Sequence, residues 1–86
     1  MAEYDKVSKM ALDLMYGTKE EKRTTTKILD ETDIDEIENI LEVSREVIFD
    51  NSGDEKLSFA TTCLIDYIYS ILAIRAMKGS YVRNAH

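Results

Sequence analysis

The chain has no proline and no tryptophan, and it holds one cysteine, one histidine and three glycines. Each shortage excludes something. Without proline, which costs a helix interior about 3 kcal/mol, long helices run unbroken. A lone Cys63 cannot close an intrachain disulfide, and with His86 as the single, terminal histidine there is no Cys/His set for zinc. No glycine-rich phosphate loop and no nucleophile elbow is present. Cys63 has no histidine near it in sequence, so it is expected to be packing, not a nucleophile. No catalytic residue, no metal site and no cofactor is expected. The N-terminus carries Glu3 and Asp5 where a secretory signal would be basic and then apolar. With a single thiol as well, a cytoplasmic location is expected.

The 86 residues form one expected domain, 1–86. A chain of this size buries only about 60–65% of its unfolded surface. Small proteins offset so thin a core with disulfides, metals or oligomerisation, and the first two are closed here.

Charge is abundant but unevenly placed. The net charge is −6, and residues 28–56 alone hold eleven acidic groups against two basic ones. Attraction of the whole molecule to DNA or RNA polymers is therefore not expected. The cluster Asp30, Glu31, Asp33, Asp35, Glu36 and Glu38 lacks the glycine and ligand spacing of a calcium loop. It reads as the acidic start of a helix, matched to the positive end of the helix dipole.

Three helices are predicted, each ended by one of the glycines, Gly17, Gly53 and Gly79, in a left-handed C′ conformation. The first spans Ala2 to Tyr16, with Tyr4, Val7, Ala11 and Leu14 on one face. Thr18 and Glu21 have capping-box spacing, which allows a short helical turn. The β-branched Thr24, Thr25 and Thr26 then predict a loop or distorted turn over 22–29. The second long helix starts near Thr32 as its cap. Its apolar stripe runs Ile34, Ile37, Leu41, Ser44 and Ile48, and Asp35, Glu38, Glu42 and Glu46 occupy the remaining surface. The third runs from about Asp54 to Lys78, opened by a capping box of Ser52 and Glu55. From Leu57 to Met77 only Asp66 and Arg75 are charged, so its whole circumference is apolar.

A helix apolar all round is buried on several sides, and two shorter helices cannot cover it. Other copies of the chain are expected to do so. Twenty-one residues is also a membrane-spanning length. However, Asp66 sits in mid-segment, where a carboxylate costs about 2.5–3.5 kcal/mol on the insertion scale, so no membrane partner is expected. The expected fold is all-α: a short N-terminal helix plus a long antiparallel helical hairpin, assembled as a homo-oligomer.

The stretch Lys22, Arg23, Thr24, Thr25, Thr26, Lys27 combines cations, hydroxyls and, in a loop, free backbone N–H groups. Those are the groups a phosphate needs. Tyr4 and Tyr16 lie nearby in sequence, and either can stack on a base. The bland reading of the same residues is an exposed connector with both tyrosines in the core.

Two segments resemble the phage-encoded anti-CBASS proteins, which sequester cyclic oligonucleotide signals. Lys27-Ile-Leu-Asp-Glu-Thr-Asp-Ile is similar to that family's entry into its second helix. Leu57-Ser-Phe-Ala-Thr-Thr-Cys-Leu is similar to the run that opens its third helix. The resemblance covers Lys27 to about Arg75. It implies a compact homo-oligomer, by resemblance a hexamer, with ligand pockets between protomers. It also implies a tyrosine on the base and a Lys-x-Thr pair on the phosphates, a spacing found here in Lys22-Arg23-Thr24. The family's Tyr-Arg pair before the second helix is replaced by Thr26-Lys27. On this resemblance the expected function is stoichiometric sequestration of cyclic di- or oligonucleotides, without catalysis, to blunt antiviral signalling in a host cytoplasm. The alternative, read from the acidic stretch, is a helical protein-binding regulator or inhibitor of the antitoxin, immunity or DNA-mimic kind.

Overall fold

The computed structural model describes the backbone of residues 2–84 and the side chains of residues 3–78. His86 lies outside the described residues. Among the described residues the protein is all-α, with four helices: α1 (Ala2–Tyr16), α2 (Lys19–Glu31), α3 (Ile34–Asp50) and α4 (Glu55–Asn84).

The 3-4 spacing in α1 does what it predicts. Val7, Met10 and Ala11 are buried, with Tyr4 and Leu14 packed at their edge. α1 is the hub: it packs against α4, α3 and α2, and α3 also packs along α4. The buried face of α3 is Ile37, Ile40, Leu41, Ser44 and Val47, and that of α4 is Ala60, Thr61, Leu64, Ile68 and Ile71. Each fully buried Leu, Ile or Val contributes about 1.5–3 kcal/mol relative to exposure. The buried hydroxyls do not disturb this core, because Ser44 Oγ donates to the Ile40 carbonyl and Thr61 Oγ1 to the Leu57 carbonyl, each at 2.7 Å.

The loop predicted over 22–29 is not found; those residues lie inside α2. Three threonines cost a helix about 2 kcal/mol together against alanine. Two effects together oppose them. The Thr18 capping box forms in both directions, with Glu21 N–H donating to Thr18 Oγ1 (3.1 Å) and Thr18 N–H to Glu21 Oε1 (2.9 Å). Such a cap is worth about 0.5–2 kcal/mol. Leu29 is fully buried in the shared core, and Thr25 is buried beside it on the same face of α2. Thr26 Oγ1 also bonds back to the Arg23 carbonyl at 3.0 Å, so its hydroxyl is satisfied within the helix.

Three helix ends differ from expectation. Thr32 closes α2, its N–H donating to the Leu29 carbonyl and its hydroxyl to that of Ile28. Asp33 caps α3 instead, accepting from Glu36 N–H at 3.0 Å. Asp54, not a Ser52–Glu55 box, caps α4 by accepting from Leu57 N–H at 3.1 Å. In both places a carboxylate nearer the helix takes the cap, one residue on from Thr32 and two on from Ser52.

Gly79 does not stop α4, which continues through it to Asn84. No glycine takes a positive φ among the described residues, so the left-handed terminations are not used. Gly17 answers a different demand: a Cβ there would press on the Asp13 carbonyl oxygen and lie 3.0 Å from Glu21 Cβ. The glycine lets α1 and α2 join this closely.

Candidate functional site

Folding 22–27 into a helix changes what these residues can do together. Their backbone N–H groups are spent in α2 and cannot ring an anion. Successive helical residues turn by about 100°, so Lys22 and Thr24 point roughly 200° apart. Lys22, Arg23, Thr24 and Lys27 are exposed, Thr26 is half-buried and Thr25 is buried.

The two tyrosines sit at opposite ends of α1, about 18 Å apart along its axis. The Tyr4 hydroxyl accepts from the Asn51 side chain at 2.6 Å, which ties the start of α1 to the end of α3. Tyr16 is half-exposed, with the Lys56 ammonium 4.9 Å from its ring centre. That cation–π contact joins the end of α1 to the start of α4.

Part of the basic and hydroxyl set does border a concavity. A groove of about 500 Å³ runs between α1 and α2, edged by Lys6, Lys9, Thr24 and Thr25 over a floor of Met10 and Ile28. Asp13, Glu20 and Glu21 line it as well. Lys9 Nζ donates to Asp13 Oδ2 at 2.7 Å, and that hydrogen bond, then the carboxylate's charge, raises the lysine's pKa above its ordinary value. Lys22, Arg23, Thr26 and Lys27 are not among the residues that line the groove.

A second surface is acidic. Asp35, Glu38, Glu42 and Glu46 are all exposed on the face of α3 turned away from Ile37, Leu41 and Ser44. At the C-terminal end of that face Phe49 is 83% exposed. Arg45 lies at its margin, held by Glu42 at 3.3 Å and donating to the Tyr69 hydroxyl at 2.7 Å. The Tyr69 hydrogen bond is the main reason its pKa is raised. The exposed phenylalanine at the end of this face escaped the sequence reading. Its signal was available: Phe49 falls on the Glu38–Glu42 side of the 3.6-residue wheel, not on the apolar stripe.

A third surface is the outer side of α4. Its Glu55–Lys78 stretch is long and apolar enough by composition to cross a membrane, yet only 28% of its most apolar 18-residue window is buried. Phe59 is 53% and Met77 71% exposed. Arg75 is turned the other way, donating to the Asp30 carbonyl at 3.0 Å at the C-terminal end of α2. A cation there complements the helix dipole. Beside it, the Tyr67 hydroxyl donates to Asp30 Oδ1 at 2.8 Å. Burial, then this hydrogen bond and the carboxylate's charge, push the Tyr67 phenol up to about 12.

Comparison with protein-family models, with curated proteins and with solved structures finds no match to this chain.

Proposed function

We propose that this protein is a non-catalytic binding protein whose working surface is the acidic face of α3, set against a basic surface on another protein. The observation that carries the reading is the row Asp35, Glu38, Glu42 and Glu46, all exposed, with Phe49 protruding at its end. Carboxylates of one sign steer a basic partner and exclude acidic ones. A protruding aromatic is the residue type that most often anchors such a contact. In the same reading α3 and α4 act as an antiparallel helical hairpin within a homo-oligomer. The support is the poorly covered outer side of α4, which a second copy would shelter.

The test compares proteins captured by the wild type with those captured by Glu38→Lys/Glu42→Lys/Glu46→Lys, quantified by mass spectrometry at low and high salt. Specific capture is expected to fall roughly tenfold or more on charge reversal, and to weaken with salt. Lys22→Ala/Thr24→Ala is expected to capture as the wild type does. Equal capture by wild type and reversal variant would sink the proposal.

A second reading is sequestration of a cyclic di- or oligonucleotide. It draws on the groove between α1 and α2, whose volume falls in the roughly 300–1,000 Å³ range of small-molecule sites. Lys6 and Lys9 would meet phosphates there, with Thr24 and Thr25 as hydroxyl partners and Met10 and Ile28 beneath a base. Asp13, Glu20 and Glu21 oppose an anion in the same space, which is why this reading stands second. Calorimetric titration with a panel of cyclic dinucleotides decides it: heat from a member, lost in Lys6→Ala/Thr24→Ala, would promote it. Heat from none would remove it.

A further inference from the structure

The outer side of α4 carries a set of side chains that can face a second copy of itself. Phe59, Cys63, Asp66, Ser70, Ala73 and Met77 are spaced alternately by four and three residues, the 3.5-residue repeat of a two-helix seam. The succession of gaps is the same read in either chain direction. A copy of this face can therefore lie on another with the chains reversed, each seam residue finding one opposite.

We propose that α4 of one copy pairs antiparallel with α4 of a second copy, centred at the level of Ile68, so that Phe59 faces the partner's Met77 and Asp66 faces the partner's Ser70. This rests on the reading above that another copy covers the outer side of α4, and it specifies how.

Three observations select this arrangement. First, Asp66 is the single charged residue of the seam, since Arg75 is engaged inward with α2. A parallel pair sets the two Asp66 carboxylates at one level, where like charges repel as water leaves. The antiparallel pair moves the two carboxylates about 6 Å apart along the axis and sets each against a hydroxyl donor. Second, Ser70 is available as that donor, because its present bond to the Asp66 carbonyl is long, at 3.3 Å. A single polar position of this kind commonly sets helix register. Third, sliding the pair by one heptad brings Asp66 against the partner's Cys63 or Met77, neither of which satisfies a carboxylate. The central register places the two large, exposed ends together, thioether on aromatic ring, a favourable contact. It leaves the smaller Cys63 and Ala73 between them. The overlap runs about 27 Å.

The register makes a covalent prediction. Cys63 faces the partner's Ala73, not the partner's Cys63. Full-length A73C, oxidised with copper-phenanthroline and run without reductant, is expected to give several-fold more covalent dimer than the wild type. C63S/A73C is expected to lose that dimer. Wild-type protein that cross-links through Cys63 as readily as A73C indicates a parallel pair and overturns the proposal. Cross-linking that survives in C63S/A73C also overturns it. Sedimentation equilibrium of the unmodified protein separates this register from self-association at large. A dimer or higher species without the A73C cross-link sinks the register alone, and a monomer at all concentrations sinks both. Flotation of the wild type with phosphatidylcholine vesicles, with loss of the cross-link, would assign the face to lipid instead.

Discussion

α2 and α4 are opposites in composition, and both are helices for different reasons. α4 is rich in Leu, Ile, Ala and aromatic residues and is helical along a length three other helices do not cover. α2 holds three threonines in a row and six charges in its first nine residues, and leaves little of itself in the core beyond Leu29 and Thr25. Its order comes from a cap at one end, a buried leucine near the other, and α4 reaching over to hold its last carbonyls through Arg75. An apolar helix thus announces itself in sequence, whereas a polar one is decided at its ends and by what it meets.

The sharpest way to break this comparison is to remove the anchor of α2. Leu29→Ala is expected to cost about 2–5 kcal/mol of stability by chemical denaturation. Hydrogen exchange should then show the amides of 19–31 losing protection well before those of the buried half of α4. Equal loss in both helices would mean that α2 is not separately held. A smaller effect is expected from the cap: Thr18→Ala should cost about 0.5–2 kcal/mol, with fraying confined to the first turn of α2, and Thr18→Asp should restore most of it. A cap variant without effect would leave the order of α2 to Leu29 and to the hold of Arg75 on its last carbonyls.

The smallest expected effect concerns pH. In the folded chain the Tyr67 phenol is raised to about 12, against an ordinary value of 10.0. The folded state therefore holds this proton more tightly than the unfolded state. The contribution is fully present below about pH 10 and is lost as pH rises through about 12. Ultraviolet titration should show one tyrosine ionising last, and this late step should vanish in Tyr67→Phe. The α2–α4 tie at Asp30 should loosen over the same range, read as faster exchange at the C-terminal end of α2. A late step that persists in the variant would assign the shifted phenol to another tyrosine.

Much of the architecture is legible without coordinates. Val7 and Ala11, and Ile37 and Leu41, are placed by periodicity, and the structure uses them as core faces; of the apolar run from Leu57 it buries one side only. The loop expected at 22–29 fails because local propensity was weighed without Leu29, whose burial depends on a groove in other helices. The capping positions of α3 and α4 fall one and two residues from expectation, since a threonine or serine within two residues of an aspartate leaves two candidate caps. For the candidate site, the acidic face of α3 is visible in sequence because side-chain direction follows from a helix. Whether Tyr4, Tyr16 and the 22–27 cluster meet is not, because their relative positions depend on how α1 and α2 dock.

By itself the sequence determined the helical class, the amphipathic faces of α1 and α3 and the excess apolarity of α4, because each follows from residue type and a 3.6-residue period. The tertiary structure alone decided that 22–29 would be helical, that Arg75 would turn inward onto α2, and that the outer side of α4 would be left bare. Those outcomes depend on which surfaces find one another. Contact between distant segments is set by shape and competition for burial, quantities no local window contains.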